Sequence, residues 1–170
     1  MKNLILTVFV AFAAIFSLNA QTMFGAKAGF VSANSKVEAD GLSMTNSESG
    51  FAVGLFAEFE LSETIDLAPE LLYTSVDETS ILQLPIMAKF NIGENFNILA
   101  GPQITYILEE QIDDFTNFSI GLGAGVAYDF SDNLFIDAKY TLQLTNTYTG
   151  SADATAKIHF LNIGLGYRFN

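Results

Sequence analysis

Hydrophobic and polar residues alternate with a period of two along most of this chain. In 118–130 the even positions are Phe118, Ile120, Leu122, Ala124, Val126, Tyr128 and Phe130, set against Ser119, Gly121, Gly123, Gly125, Ala127 and Asp129. Leu134, Ile136, Ala138, Tyr140, Leu142 and Leu144 alternate likewise with Phe135, Asp137, Lys139, Thr141, Gln143 and Thr145. Near the C-terminus Leu161, Ile163, Leu165, Tyr167 and Phe169 oppose Asn162, Gly164, Gly166 and Arg168. Such alternation sends the two sets to opposite faces of a β-strand. Comparable stretches at 23–32, 50–61, 64–76, 80–92 and 96–108 bring the expected number of strands to eight. At 10 to 13 residues most exceed the usual strand of about 5–6. They match the roughly 9–11 residues that cross a bilayer at a tilt.

The connections alternate in length. Ser62-Glu63, Gly93-Glu94-Asn95 and Ser131-Asp132-Asn133 are tight, turn-prone links. Those at 33–49, 77–79, 109–117 and 146–156 are mostly long and polar. Short turns on one side and longer loops on the other predict an all-β fold, an eight-stranded antiparallel up-and-down transmembrane β-barrel. With eight strands both termini fall on the short-turn side, the periplasmic one.

A soluble barrel of the lipocalin type alternates too, with its apolar set inward. Two features select the membrane reading. The polar face is Gly, Ala, Ser, Asn and a few charges, which suits the crowded interior of a small barrel rather than a water-facing surface. The aromatics of the apolar face also form two bands. Phe24, Phe59, Phe90, Phe96, Tyr128, Phe130, Tyr167 and Phe169 fall at the short-turn ends; Phe30, Phe51, Tyr73, Tyr106, Phe118 and Tyr140 fall toward the loops. Aromatic girdles of this kind mark the two interfaces of a membrane barrel. Pro69, Pro85 and Pro102 interrupt three consecutive strands, where each removes a ladder hydrogen bond, and bulges near mid-height are expected there.

The N-terminus carries an address. Lys2, an apolar run from Leu4 to Phe16 and the exit Ser17-Leu18-Asn19-Ala20 have the form of a cleaved signal peptide. The expected division is therefore 1–20 signal peptide and 21–170 barrel domain, located in the outer membrane. Composition sharpens this. Of 170 residues 15% are charged, against about 25% in a typical soluble domain. Seven Lys and Arg face 19 Asp and Glu, a net charge of −12, which repels phosphate backbones and argues against a nucleic-acid partner. The chain has no Cys, so disulfides, thiolate chemistry and Cys-ligated zinc are excluded.

Three segments resemble the PorT-like outer-membrane β-barrel proteins: Phe24-Gly25-Ala26-Lys27-Ala28-Gly29-Phe30, Leu84-Pro85-Ile86-Met87-Ala88-Lys89-Phe90 and Gly164-Leu165-Gly166-Tyr167-Arg168-Phe169. Their glycine–aromatic alternation is shared with small barrels of the OmpA/OmpX kind. The resemblance implies a place in the outer membrane and, in some members, a part in protein secretion. It supplies no catalytic residues.

Candidate chemistry is sparse. By parity Lys27, Glu58, Glu60, Asp66, Glu70, Lys89, Asp129, Asp137, Lys139 and Arg168 face the lumen. The favoured reading is an internal charge network filling a barrel too narrow for a wide pore, because an unpaired charge in a water-poor interior is costly. Gly121-Leu122-Gly123-Ala124-Gly125 lacks the spacing and flanking helix of a dinucleotide loop. Glu109, Glu110, Asp113 and Asp114 form an acidic loop cluster, joined on the same side by Glu38, Asp40, Glu48, Asp77, Glu78 and Asp153. Oxygen ligands of this kind suit weak divalent-cation binding, with a solvated acidic surface as the simpler reading. The single His159, on the outward parity near the loop end, lacks the neighbours a triad or a metal site requires.

The expected role is structural or interactive, through the outer loops, with no enzymatic activity and no cofactor. Expected partners are outer-membrane lipid and other envelope proteins, the protein itself being a monomer. The rival readings are an enzyme at the outer rim, using His159 with Asp113 and Asp114 on lipid or peptide, and an accessory barrel in secretion.

Overall fold

The computed structural model describes residues 22–39, 42–110, 113–150 and 154–169. The expected signal peptide lies outside them, as do Asp40 and Asp153. Eight antiparallel strands run in chain order: β1 (Thr22–Ala39), β2 (Leu42–Ser62), β3 (Ile65–Val76), β4 (Thr79–Asn91), β5 (Phe96–Ile107), β6 (Phe118–Asp129), β7 (Leu134–Gln143) and β8 (Ala154–Phe169). Each pairs with its neighbour, and β8 pairs with β1 from Phe24↔Phe169 to Ala39↔Ala154, which closes the barrel. Closure satisfies the backbone without edges, as a hydrocarbon environment demands. Among the described residues no helix is long and apolar enough to cross a membrane.

The outer face is apolar. Thirteen of the fourteen aromatics expected in the two girdles are exposed there, from Phe24 and Phe169 at the short-turn end to Phe118 and Tyr140 toward the loops. Leu55, Leu122, Leu142 and Leu165 lie exposed between them. A continuous apolar belt of this size faces lipid. Phe59 is the correction. It keeps the outward register position, opposite Thr22 and Leu67, but is only 1% exposed.

Two expectations about the strands are overturned. The connection expected at 33–49 is strand: β1 and β2 pair from Val31↔Gly50 up to Ala39↔Leu42. Leu42–Ser49 are exposed throughout, so both faces of this extension meet water. A sheet wet on both faces carries no period-two signal to read. The expected bulges at the prolines are also absent. Pairing lapses for two positions beside each proline, at 57–58 against 68–69, 70–71 against 84–85 and 86–87 against 101–102, then resumes in unchanged register. Proline deletes a donor without adding a residue, so the ladder loses bonds but does not slip. A register shift does occur between Glu60 and Ser62, beside the β2–β3 turn. The connection expected at 77–79 is a tight turn, with Asp77 at φ 51°, a left-handed conformation that Asp tolerates.

Candidate functional site

Inward-facing side chains fill the lumen in successive layers. Nearest the short turns, the Arg168 guanidinium grips Glu58 through Nε–Oε2 (2.7 Å) and Nη2–Oε1 (3.2 Å). It also meets Asp129 Oδ1 at 2.7 Å. Lys89 Nζ lies 3.3 Å from Glu58 and 3.5 Å from Asp66. Asn97 and Asn91 donate to Asp129 (2.6 Å) and Asp66 (3.3 Å). These amides and cations pair with carboxylates that would otherwise stand alone in the lumen.

Phe56 and Phe135 meet edge to face above this layer, with centroids 5.2 Å apart. The Phe135 ring also takes Arg168 Cζ at 4.5 Å and Lys27 Nζ at 5.4 Å, within cation–π range. Glycines make room for both rings. A Cβ on Gly25 would stand 2.2 Å from Phe56, and one on Gly166 would stand 2.2 Å from Phe135.

The next layer joins two cations to two anions. Lys27 bonds Glu70 (2.9 Å) and Asp137; Lys139 bonds Glu70 (2.5 Å) and lies 3.5 Å from Asp137. Nine of the ten charges assigned inward by parity thus stand in these two clusters. Glu60 does not join them. It is exposed at the short-turn mouth, opposite Asp66 and next to the register shift, where solvent reaches its carboxylate.

Farther along the same strands the layers lose charge. Gln103 accepts from Thr141 (3.0 Å) and donates to Thr105 (3.3 Å), and Met87 and Leu72 are buried as well. Val31, Ala33, Val76, Ile81 and Phe160, with Ile107 and Ile158 against them, then close the lumen toward the loops with an apolar plug. Cavities beside the charged layers are only about 10 Å³ each. That space holds about one water molecule and is no pore.

Above the plug the barrel opens into an outer vestibule of about 450 Å³. Its walls are the β1–β2 extension and the loops after β5 and β7. Those two loops are joined: Phe115 bridges Tyr148, with their rings 5.4 Å apart, and Thr116 and Thr149 donate their backbone N–H groups to Thr147 O (2.9 Å) and Asp114 O (2.7 Å). Asn117 ties down the start of the loop by donating to Ile107 O (3.0 Å) and Glu109 O (2.7 Å).

The four acids Glu109, Glu110, Asp113 and Asp114 do not converge. Among the described residues no three carboxylates or imidazoles are grouped to hold a metal ion. Glu109 is engaged elsewhere, accepting from Ser80 N at 2.6 Å, and Asp114 stands at φ 64° where the loops join. His159 accepts from the Gln143 backbone N–H through Nδ1 (3.1 Å) and lies beside Tyr140. Among the described residues no hydrogen bond or ion pair links it to Asp113 or Asp114. The extension carries its own pair, Lys36 with Glu38 at 2.6 Å, and that lysine holds the Glu38 carboxyl below the usual carboxylate range.

The plug and the vestibule escape a reading by charge alone, because they are built from Val, Ile and Ala. The signal that would have found them is the change of the inward set from polar to apolar at Val31, Val76, Ile81 and Phe160.

Comparison with known proteins follows the same lines. The crystal structure of Ail, the attachment invasion locus protein of Yersinia pestis, aligns with a TM-score of 0.51 at 20% identity, over 86% of this chain and 98% of Ail. Ail in complex with the heparin analogue sucrose octasulfate gives 0.50 at 20% identity, over 87% and 99%. Neisserial surface protein A gives 0.49 at 19% identity, over 86% and 97%. The likeness to Ail is one of fold. No curated protein sequence matches the chain. The family model for the outer membrane protein beta-barrel domain matches residues 4–169. A closed barrel with a lipid-facing belt is what that match requires, and the chain belongs to this family of outer-membrane barrels.

Proposed function

We propose that this barrel serves surface interaction: β1, β2 and β8 extend past the membrane as a three-stranded sheet whose free β2 edge takes up an extended segment of another envelope protein. One observation carries the reading. Leu42–Ser49 pair with β1 on one side, while pairing with β3 starts only at Gly50↔Val76. The other edge of this stretch therefore offers unpaired backbone donors and acceptors. It contains no Lys or Pro, the residues that most often guard an edge against strand addition, and Glu48 is its one charge. Leu42 and Met44, each 75% exposed, supply apolar contacts for alternate side chains of an added strand. The PorT-like resemblance adds secretion components to the candidate partners. A hydrolytic site at the rim finds less support, since among the described residues no hydrogen bond or ion pair joins His159 to a carboxylate.

The test is site-specific photo-crosslinking in the native membrane. A photoreactive residue replacing Met44 should trap a distinct partner, and one replacing Glu78 should not. Proline at Thr45 or at Asn46, whichever turns its N–H away from β1, should remove the adduct, because adjacent residues of a strand present their N–H groups to opposite edges. Equal trapping from both sites, or an adduct indifferent to both prolines, defeats strand addition. An adduct with a second copy of the chain replaces the envelope partner with self-association.

A further inference from the structure

We infer that the outer vestibule is a binding site for a small amphipathic cation, a primary ammonium carried on an apolar tail. The cavity of about 450 Å³ falls within the range of ligand sites. Its floor is apolar and preformed. Ala33, Val76, Ile81, Ile107 and Ile158 are inward-facing strand residues, held from below by Val31 and Phe160. Water over such a floor gains little, and an aryl or alkyl tail displaces it favourably.

The walls decide the sign of the headgroup. Glu48, Glu109 and Glu110 line the cavity against Lys157. Glu48 accepts from Asn46 Nδ2 (2.7 Å) and Glu109 from Ser80 N (2.6 Å), so both carboxylates are oriented and keep further acceptor capacity. An ammonium offers three donors to such acceptors; a carboxylate headgroup meets repulsion. The wall residues Phe115 and Thr116 are held to Tyr148 and Thr147, so this part of the wall needs little ordering on binding.

Two probes that share a tail test this: 4-phenylbutylammonium and 4-phenylbutyrate, titrated into the folded barrel in zwitterionic lipid nanodiscs. The readout is the methyl NMR signals of Ile81, Ile107 and Ile158, with Leu122 and Leu142 on the lipid face as reporters of bilayer partitioning. The cation should give saturable shifts at the three isoleucines in the millimolar range. The anion should be at least tenfold weaker. Joint replacement E109Q and E110Q, on the wet rim where folding is not at stake, should weaken the cation about fivefold. Ile158→Ala should weaken it about threefold. Equal response to both probes, indifference to E109Q and E110Q, or shifts confined to Leu122 and Leu142 would each overturn the site.

Discussion

Arg168 and Glu58 lie 110 positions apart in sequence and meet inside the barrel as a two-point fork, Nε to Oε2 at 2.7 Å and Nη2 to Oε1 at 3.2 Å. Their strands, β8 and β2, are not neighbours; β1 runs between them. The fork therefore crosses the lumen and depends on the planar guanidinium, which matches a carboxylate in a way an ammonium cannot. Arg168→Lys keeps the charge and loses one arm of the fork along with the Asp129 contact. Its expected cost is about 1.5–3 kcal/mol, the range for hydrogen bonds to charged groups. Urea unfolding in lipid vesicles measures it, and an unchanged midpoint would mean the fork contributes nothing.

The Lys139 layer gives a larger effect. Lys139 is 1% exposed and stands between Glu70 and Asp137. Lys139→Met leaves Lys27 alone to neutralise two buried carboxylates. Breaking one side of a buried pair costs about 3–5 kcal/mol. Replacing Glu70 with Gln in the same chain should recover part of that loss, and strictly additive costs would show that the charges do not act as a unit.

Filled layers and an apolar plug leave no continuous water path. The purified wild-type monomer should show no steady conductance in planar bilayers. A large, stable open channel would contradict the lumen as described.

Closure should make the fold resistant to cold detergent, since no strand edge within the membrane is available to fray. Unboiled and boiled samples in SDS are expected to migrate differently. Identical migration of a sample shown by circular dichroism to be folded would count against a closed barrel.

Gly166 and Phe135 form a size-matched pair, because a Cβ at 166 would stand 2.2 Å from the ring. Gly166→Ala should destabilise by about 1–3 kcal/mol through overpacking. In a Phe135→Ala background the same change should cost far less. A double-mutant cycle with no coupling would show that the ring is free to move aside.

Parity was legible in the sequence because it is geometric: a strand turns successive side chains to opposite faces whatever surrounds it. Leu122, Leu142 and Leu165 on the lipid side, and Lys27, Asp137, Lys139 and Arg168 on the lumen side, follow from alternation alone, and so do the eight strands; the Gly93–Asn95 and Ser131–Asn133 links follow from their turn-prone residues. Three other features required the closed structure. Which charges pair depends on closure, since only the meeting of β8 with β1 brings Arg168 to Glu58 and Lys27 to Asp137. The extension of β1 and β2 to Ala39 and Leu42 was hidden because a strand with water on both faces has no reason to alternate. The prolines, read locally as bulges, prove to be lapses in pairing. Neighbouring strands hold the register of β2 to β5 on either side of each gap, and that constraint belongs to the sheet rather than to any one strand.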